Sequence, residues 1–363
     1  MTASNLAADQ VGSLLRPVAL RNAAEGTDLD RMRRAQDAAI DDALATQVKT
    51  GIDVLCDGEF RRRGFLTGVM DAVDGFGERV PITWKGGDTP GNRSMLRFVV
   101  APLESRRRIA DVEATYLREH APQLFKITLP SPSTFAINSW HSELSSRAYP
   151  TREGFLEALT EILAQEARQL DEDGVPYIQL DAPNYTWWVD GVQRQRLESN
   201  GIDLDGFLDR LIEADNHILA QVHDATTGVH LCRGNQGGRW IAEGGYDIIA
   251  ERLFTGLRTD RLLLEYDTVR AGSFGPLASV PTGRVAVLGL VSTKHGDLES
   301  RDELHRRIED ASAFIPLEQL ALSPQCGFAS VAEGNPITEA EQWRKLQLVA
   351  DVAHEIWPSP LRQ

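Results

Sequence analysis

The sequence predicts an α/β protein, a (β/α)8 TIM barrel with a hairpin insertion in one βα loop. Helix-period segments alternate with short apolar runs of strand length along most of the 363 residues. The runs are continuously apolar, the pattern of strands covered on both faces of a parallel sheet. No G-x-G-x-x-G follows any of them, so the doubly wound dinucleotide-binding alternative loses its main support.

In chain order, residues 31 to 50 carry Ala39, Ile40, Ala43, Leu44 and Val48 at helical spacing, with Gly51 at the C-cap position, and the strand-like IDVLC follows. From about 74 to 118 the alternation breaks around a Gly/Pro/Asn-rich turn. Two short strand-like pieces flank that turn, which makes a hairpin insertion within a single domain spanning 1–363. QLFKITL (123 to 129) is the next apolar run. An amphipathic helix over 154 to 173, with Phe155, Leu156, Leu159, Ile162, Leu163, Ala167 and Leu170 on one face, ends at Gly174 before YIQLD. A helix over 205 to 223 leads to GVHLC, and one near 244 to 255 leads to RLLLEY. RVAVLGLV, a helix opened by a capping box Ser300 to Glu303, a strand-like stretch 317 to 323 and a helix opened by Thr338 to Glu341 complete the series.

Composition narrows the partners. A net charge of -15 argues against nucleic acid, which needs a basic surface. No apolar run approaches the roughly 20 residues of a membrane span, and the start MTASNLAADQVGS has neither region of a signal peptide, so the expected location is cytoplasmic. Three cysteines are few and odd in number for a disulfide framework, which favours metal or catalytic roles. The expected partners include further copies of the chain in a homo-oligomer.

The polar residues that matter fall at strand ends. His230 and Cys232 lie two apart at the close of an apolar run, and residues i and i+2 of a strand share a face, so the pair can converge on one zinc ion. Glu265 and Cys326 end later runs and offer two more ligands. Ser13, Asp57, Glu59, Ser131 to Thr134, Asp181 and Ser292 to Lys294 occupy corresponding positions. Function in a parallel barrel sits at the carboxyl ends of the strands, so one mouth gathers all of them.

VGSLLRP, DGEF, QLDAPNY, HLCRGN, LEYD and PQCGF, in that order, resemble the cobalamin-independent methionine synthase family. The likeness is to its C-terminal catalytic barrel and to shorter single-barrel homologues, which include epoxide:coenzyme M transferases. The resemblance implies a Zn2+ cofactor held by His230, Cys232, Glu265 and Cys326. It also implies that Ser13, Glu59 and Asp181 hold the amino-acid part of a thiol substrate, with Asn235 of the RGN run beside them. Two thiolates and a carboxylate bring three negative charges to a doubly charged ion, which favours an electron-rich thiolate over activation of water. Glu265 is then the ligand that an incoming thiolate displaces.

The expected activity is zinc-dependent transfer of a methyl or other alkyl group to a small thiol such as homocysteine. An epoxide:thiol transferase, a thiol lyase and a non-catalytic zinc-binding protein are the alternatives. Lys294 stands where the synthases have a histidine, with His295 adjacent, and Asn138 stands where they have a tryptophan, with Trp140 two residues on. The length leaves no room for the family's additional N-terminal half. These departures leave the donor open among folate, a methylated corrinoid and an epoxide. His141 or His295 is a candidate proton donor to the leaving group. Glu59 and Asp181 have a structural alternative as loop acceptors, and Trp187 and Trp188 are either core or the wall of a donor pocket. Cys56 reads as core, the helical His217, His223, His305 and His354 as solvated, and Arg61, Arg62 and Arg63 as a solvated cluster.

Overall fold

The computed structural model describes residues 6–83 and 93–358. Its centre is a six-stranded parallel sheet in the order β3 (Ile127–Pro130), β4 (Tyr177–Asp181), β5 (Thr226–Leu231), β6 (Arg261–Glu265), β7 (Val285–Val291) and β8 (Leu320–Pro324), preceded in the chain by the antiparallel pair β1 (Val73–Thr83) and β2 (Arg93–Ser105). Two further extended segments bring the ends of the sheet together. Ala8 bridges Leu322 in parallel and its carbonyl accepts from Asp53 N, while Leu55 bridges Phe125 in parallel. The ring is therefore that of the expected barrel, with two of its eight staves reduced to isolated bridges.

Local chemistry sets the helices that wrap it. Leu29–Thr50 starts where the Asp28 side chain accepts from Arg31 N and stops at Gly51, whose φ of 82° is the left-handed region open to glycine. Thr151 caps Arg152–Glu172 and Asp203 caps Leu204–Leu219 in the same manner. At Thr338 both halves of the predicted capping box form with Glu341. At Ser300 only the serine half forms, because the Glu303 carboxylate is taken by Arg306. The helix expected over 244 to 255 is split into a 3-10 turn, Tyr246–Ile248, and a short helix, Ala250–Gly256. The antiparallel pair covers 73–105 and is followed by a helix, Asp111–His120; the Gly/Pro/Asn-rich turn lies outside the described residues. No helix among the described residues is long and apolar enough to cross a membrane.

Strand alternation divides the side chains between two environments. Ile127, Leu129, Ile178, Leu180, Val229, Leu231, Leu262, Leu264, Ala286 and Leu288 face outward into the main core beneath the helices. The alternate residues fill the interior, and there the two sides differ. On the β6–β8 side, Leu263, Val285, Val287 and Ala321 pack with Val11 as a small apolar cluster. On the β3–β5 side stand Lys126, Tyr177, Gln179, Asp181 and His230, all buried. Gly228 makes room there, since a Cβ at that position would lie 2.6 Å from the Tyr177 hydroxyl.

Candidate metal centre

β5 delivers His230 and, just beyond its end, Cys232; the loop after β8 brings in Cys326. One donor atom from each of the three lies within 4.8 Å of the others, and all three residues are buried. The two Sγ atoms are 3.8 Å apart. A tetrahedral site with Zn–S bonds of about 2.3 Å has an S···S edge of about 3.8 Å, so the sulfurs stand at the spacing zinc requires.

The polar surroundings fix each group. His230 Nδ1 lies 3.1 Å from Asp181 Oδ1 and Nε2 lies 3.4 Å from the Gln325 carbonyl. Burial disfavours its charge, but Asp181 and the Cys326 sulfur outweigh that and push the imidazole up to about 10. The sulfur–sulfur contact with Cys232, together with His230, holds Cys326 at about 5 despite its burial, while the same contact raises Cys232. A divalent metal bound at this group would require both thiols and the metal-facing nitrogen of His230 to be free of protons.

Glu265, at the end of β6, lies outside that three-residue group. Its Oε2 accepts from Arg233 N at 2.6 Å, and its Oε1 accepts from Arg270 and, at 3.2 Å, from Lys294. Burial would raise its pKa, yet Lys294, Arg270 and Arg233 hold it at about 2. Lys294 also pairs with Asp267 at 3.1 Å, so its ammonium is clamped between two carboxylates. Arg233 locks the loops together, donating to the carbonyls of Gly244, Glu265 and Ala271.

A model of the cobalamin-independent synthase catalytic domain matches residues 16–354. The chain belongs to that family. Among its relatives, the uncharacterised protein YxjG of Bacillus subtilis is 34% identical over 359 residues, covering 96% of this chain and 94% of the relative. A methionine synthase of Pyrococcus abyssi is 25% identical over 316 residues, 86% and 82% of the two chains. A Listeria monocytogenes crystal structure described as a candidate vitamin-B12-independent methionine synthase superposes with a TM-score of 0.75 at 25% identity, over 98% of this chain and 99% of that one. A B12-independent methionine synthase from Shewanella sp. W3-18-1, solved with selenomethionine, shares the fold, with a TM-score of 0.74 at 21% identity over 99% of both chains.

In this family member the other expected residues have diverse surroundings. Glu59 is buried beside the centre with a φ of 57°, unusual for a side chain larger than glycine. Its Oε1 accepts from Thr128, while Oε2 has no hydrogen-bond partner among the described residues. Burial, with Asp181 and Asp57 adding to it and Arg62 opposing, lifts Glu59 to about 7. Arg62 is thus no part of a solvated cluster: it is buried, 3.6 Å from Glu113, and donates to Thr128. Ser13 accepts from Ala329 N just past Cys326, and Asn235 donates to the Gly327 carbonyl, so both brace the Cys326 loop.

His295 turns outward, its side chain 53% exposed and 4.0 Å from Asp297, whereas its neighbour Lys294 turns in. His141 accepts from Glu143 N and stands edge-on to Phe98, beside a cleft of about 720 Å3 that also includes Asn138, Trp140, Arg152 and Arg196. Trp187 and Trp188 are buried in the main core, and Cys56 donates to the Gly12 carbonyl as a core thiol. His354 is held by Asp53 at 2.9 Å rather than solvated. Sequence reasoning assigned no role to Arg270, Asp267, Arg233 and Gln179, although the last three lie within the runs LEYD, HLCRGN and QLDAPNY. Gln179 also stands out as a polar residue at the centre of the apolar strand YIQLD.

Proposed function

We propose that the protein transfers a methyl or other alkyl group to the sulfur of a small amino thiol of the homocysteine type. The observation that carries this is the buried His230, Cys232 and Cys326 group with tetrahedral sulfur spacing. Zinc held by these three residues, with Glu265 as fourth donor, would lower the pKa of a bound substrate thiol and keep it nucleophilic. The Pyrococcus relative is described as a methionine synthase, which is consistent with such an acceptor.

The residues divide the remaining work. Glu59 Oε2 lacks a partner, and Asp181, which acts on Glu59 through space, commits its Oδ1 to His230 and Gln179. An ammonium between the two carboxylates would satisfy both and favour the ionised form of Glu59. Arg270 and Lys294 already pair with the Glu265 carboxylate, so its charge would stay compensated whenever it is not bound to a metal. Transfer then forms an S–C bond as the carbon's bond to its leaving group breaks, with the two substrates held in line. The cleft with Arg152 stacked on Trp140 suits the anionic, planar part of a donor; folate, a methylated corrinoid and an epoxide remain the donors to compare.

Purified protein is expected to hold about one zinc per chain. With cobalt in its place, homocysteine should shift the visible absorption bands. Cys232→Ser should abolish the metal binding and the thiol response together. A metal-free protein whose Cys232→Ser variant keeps full activity in a matrix of thiols and donors would overturn the proposal.

A further inference from the structure

The β3–β5 side of the barrel interior is filled with charged and amide groups where branched aliphatic side chains usually pack. Lys126 Nζ lies 2.8 Å from Asp9 Oδ1 and 2.8 Å from Gln179 Oε1, with no exposed surface on the Lys126 or Asp9 side chain. Asp9 Oδ2 also takes Arg261 Nε at 3.2 Å and the Tyr177 hydroxyl at 3.3 Å. Gln179 Nε2 donates to the Val11 carbonyl at 2.8 Å and to Asp181 Oδ1 at 2.8 Å, and Asp181 Oδ1 meets His230 Nδ1. A continuous hydrogen-bonded chain thus runs from the floor of the barrel to Nδ1 of His230.

The direction of each bond follows from which groups can only donate. An ammonium has no acceptor, so the Gln179 oxygen must face Lys126. The opposite amide orientation would set a carbonyl oxygen against the Val11 carbonyl and the Asp181 carboxylate, and an NH2 against the ammonium. Burying such charges rarely adds stability over an apolar filling of equal volume, which leaves the chain of bonds to be explained by what it orients.

We propose that Gln179 and Lys126 are positioning residues for the metal centre. Lys126 fixes the Gln179 amide, Gln179 fixes Asp181, and Asp181 accepts the Nδ1 proton of His230, so that Nε2 is the ligating nitrogen. The inference rests on the metal reading given above. Groups one step behind a metal-bound histidine commonly carry about 10–100-fold in metal affinity.

The test is zinc affinity of the full chain by chelator competition, with the ring nitrogens of His230 followed by NMR in the zinc-loaded protein. Gln179→Met keeps the length and removes both donors, and Gln179→Glu keeps the Lys126 contact but removes the donor to Asp181. Each should bind zinc about 10–100-fold more weakly with secondary structure unchanged. The Nδ1 signal of His230 should lose the marks of a proton held by a carboxylate, a change that general loosening of the core would not single out. Lys126→Met should act in the same direction; should it fail to fold, the two Gln179 variants decide the matter. Zinc affinities within twofold of wild type and an unaltered His230 signal would overturn the inference while leaving the metal reading intact. A wild-type chain that binds no zinc would overturn the metal reading, and the inference with it.

Discussion

The two sides of the barrel interior solve one packing problem in opposite ways. Toward β6–β8 the space is filled by Leu263, Val285, Val287, Ala321 and Val11, which need no partners and impose no direction. Toward β3–β5 it is filled by Lys126, Tyr177 and Gln179, met by Asp9 from the N-terminal segment and by Arg261 from the start of β6, and each of these must meet a specific donor or acceptor. Apolar packing resists volume change alone, whereas the polar network also transmits orientation to His230. Strength is common to both sides, and directionality belongs to one.

The sharpest way to break the contrast is Asp9→Ala, which leaves Lys126 and Arg261 buried without their shared carboxylate. It should cost about 3–5 kcal/mol in denaturant unfolding. A loss below 1 kcal/mol would mean that water or another carboxylate replaces Asp9. On the other side, Leu263→Ala should cost about 2–4 kcal/mol. Its zinc affinity should remain close to wild type, since the substitution leaves the Leu263 backbone paired opposite His230 and removes only side-chain carbons that make no hydrogen bond. Weakened zinc binding in that variant would erase the distinction.

A smaller effect extends the polar side outward. Asp215, buried on the helix Leu204–Leu219, accepts from Ser131 and Tyr185, yet burial lifts it from 3.8 to about 6. Its folded-state pKa is raised, so between about pH 4 and pH 6 the native chain keeps a proton that the unfolded chain has released. Stability contributed by that proton is lost as pH rises through this window, by up to about 3 kcal/mol. In Asp215→Asn that part of the pH dependence should vanish in unfolding curves taken across the window. An unchanged slope would show that the carboxyl is ionised throughout.

Much of the centre was legible because its signals are local. His230 and Cys232 fall on one face through strand periodicity, and Glu265 and Cys326 are marked by the ends of apolar runs. The clamp on Glu265 was not legible, since Arg270 and Lys294 reach it only because the loops after β6 and β7 are neighbours. Lys294 and His295 look equivalent in a sequence; the turn sends one inward and the other to solvent. Arg62 was misplaced for the same reason, as its run of three arginines gives no sign that the middle one is buried against Glu113.

By itself, the sequence determined the barrel class, the order of its main strands and helices, and the placement of His230, Cys232, Glu265 and Cys326 at strand ends, because hydrophobic period and capping depend on residues a few positions apart. Tertiary structure decided which donors lie within reach of one ion, which carboxylate is clamped, and how Lys126, Gln179, Asp181 and His230 join in one line. Those relations depend on the register between strands and on closure of the ring, which bring together residues as far apart as Asp9 and Arg261.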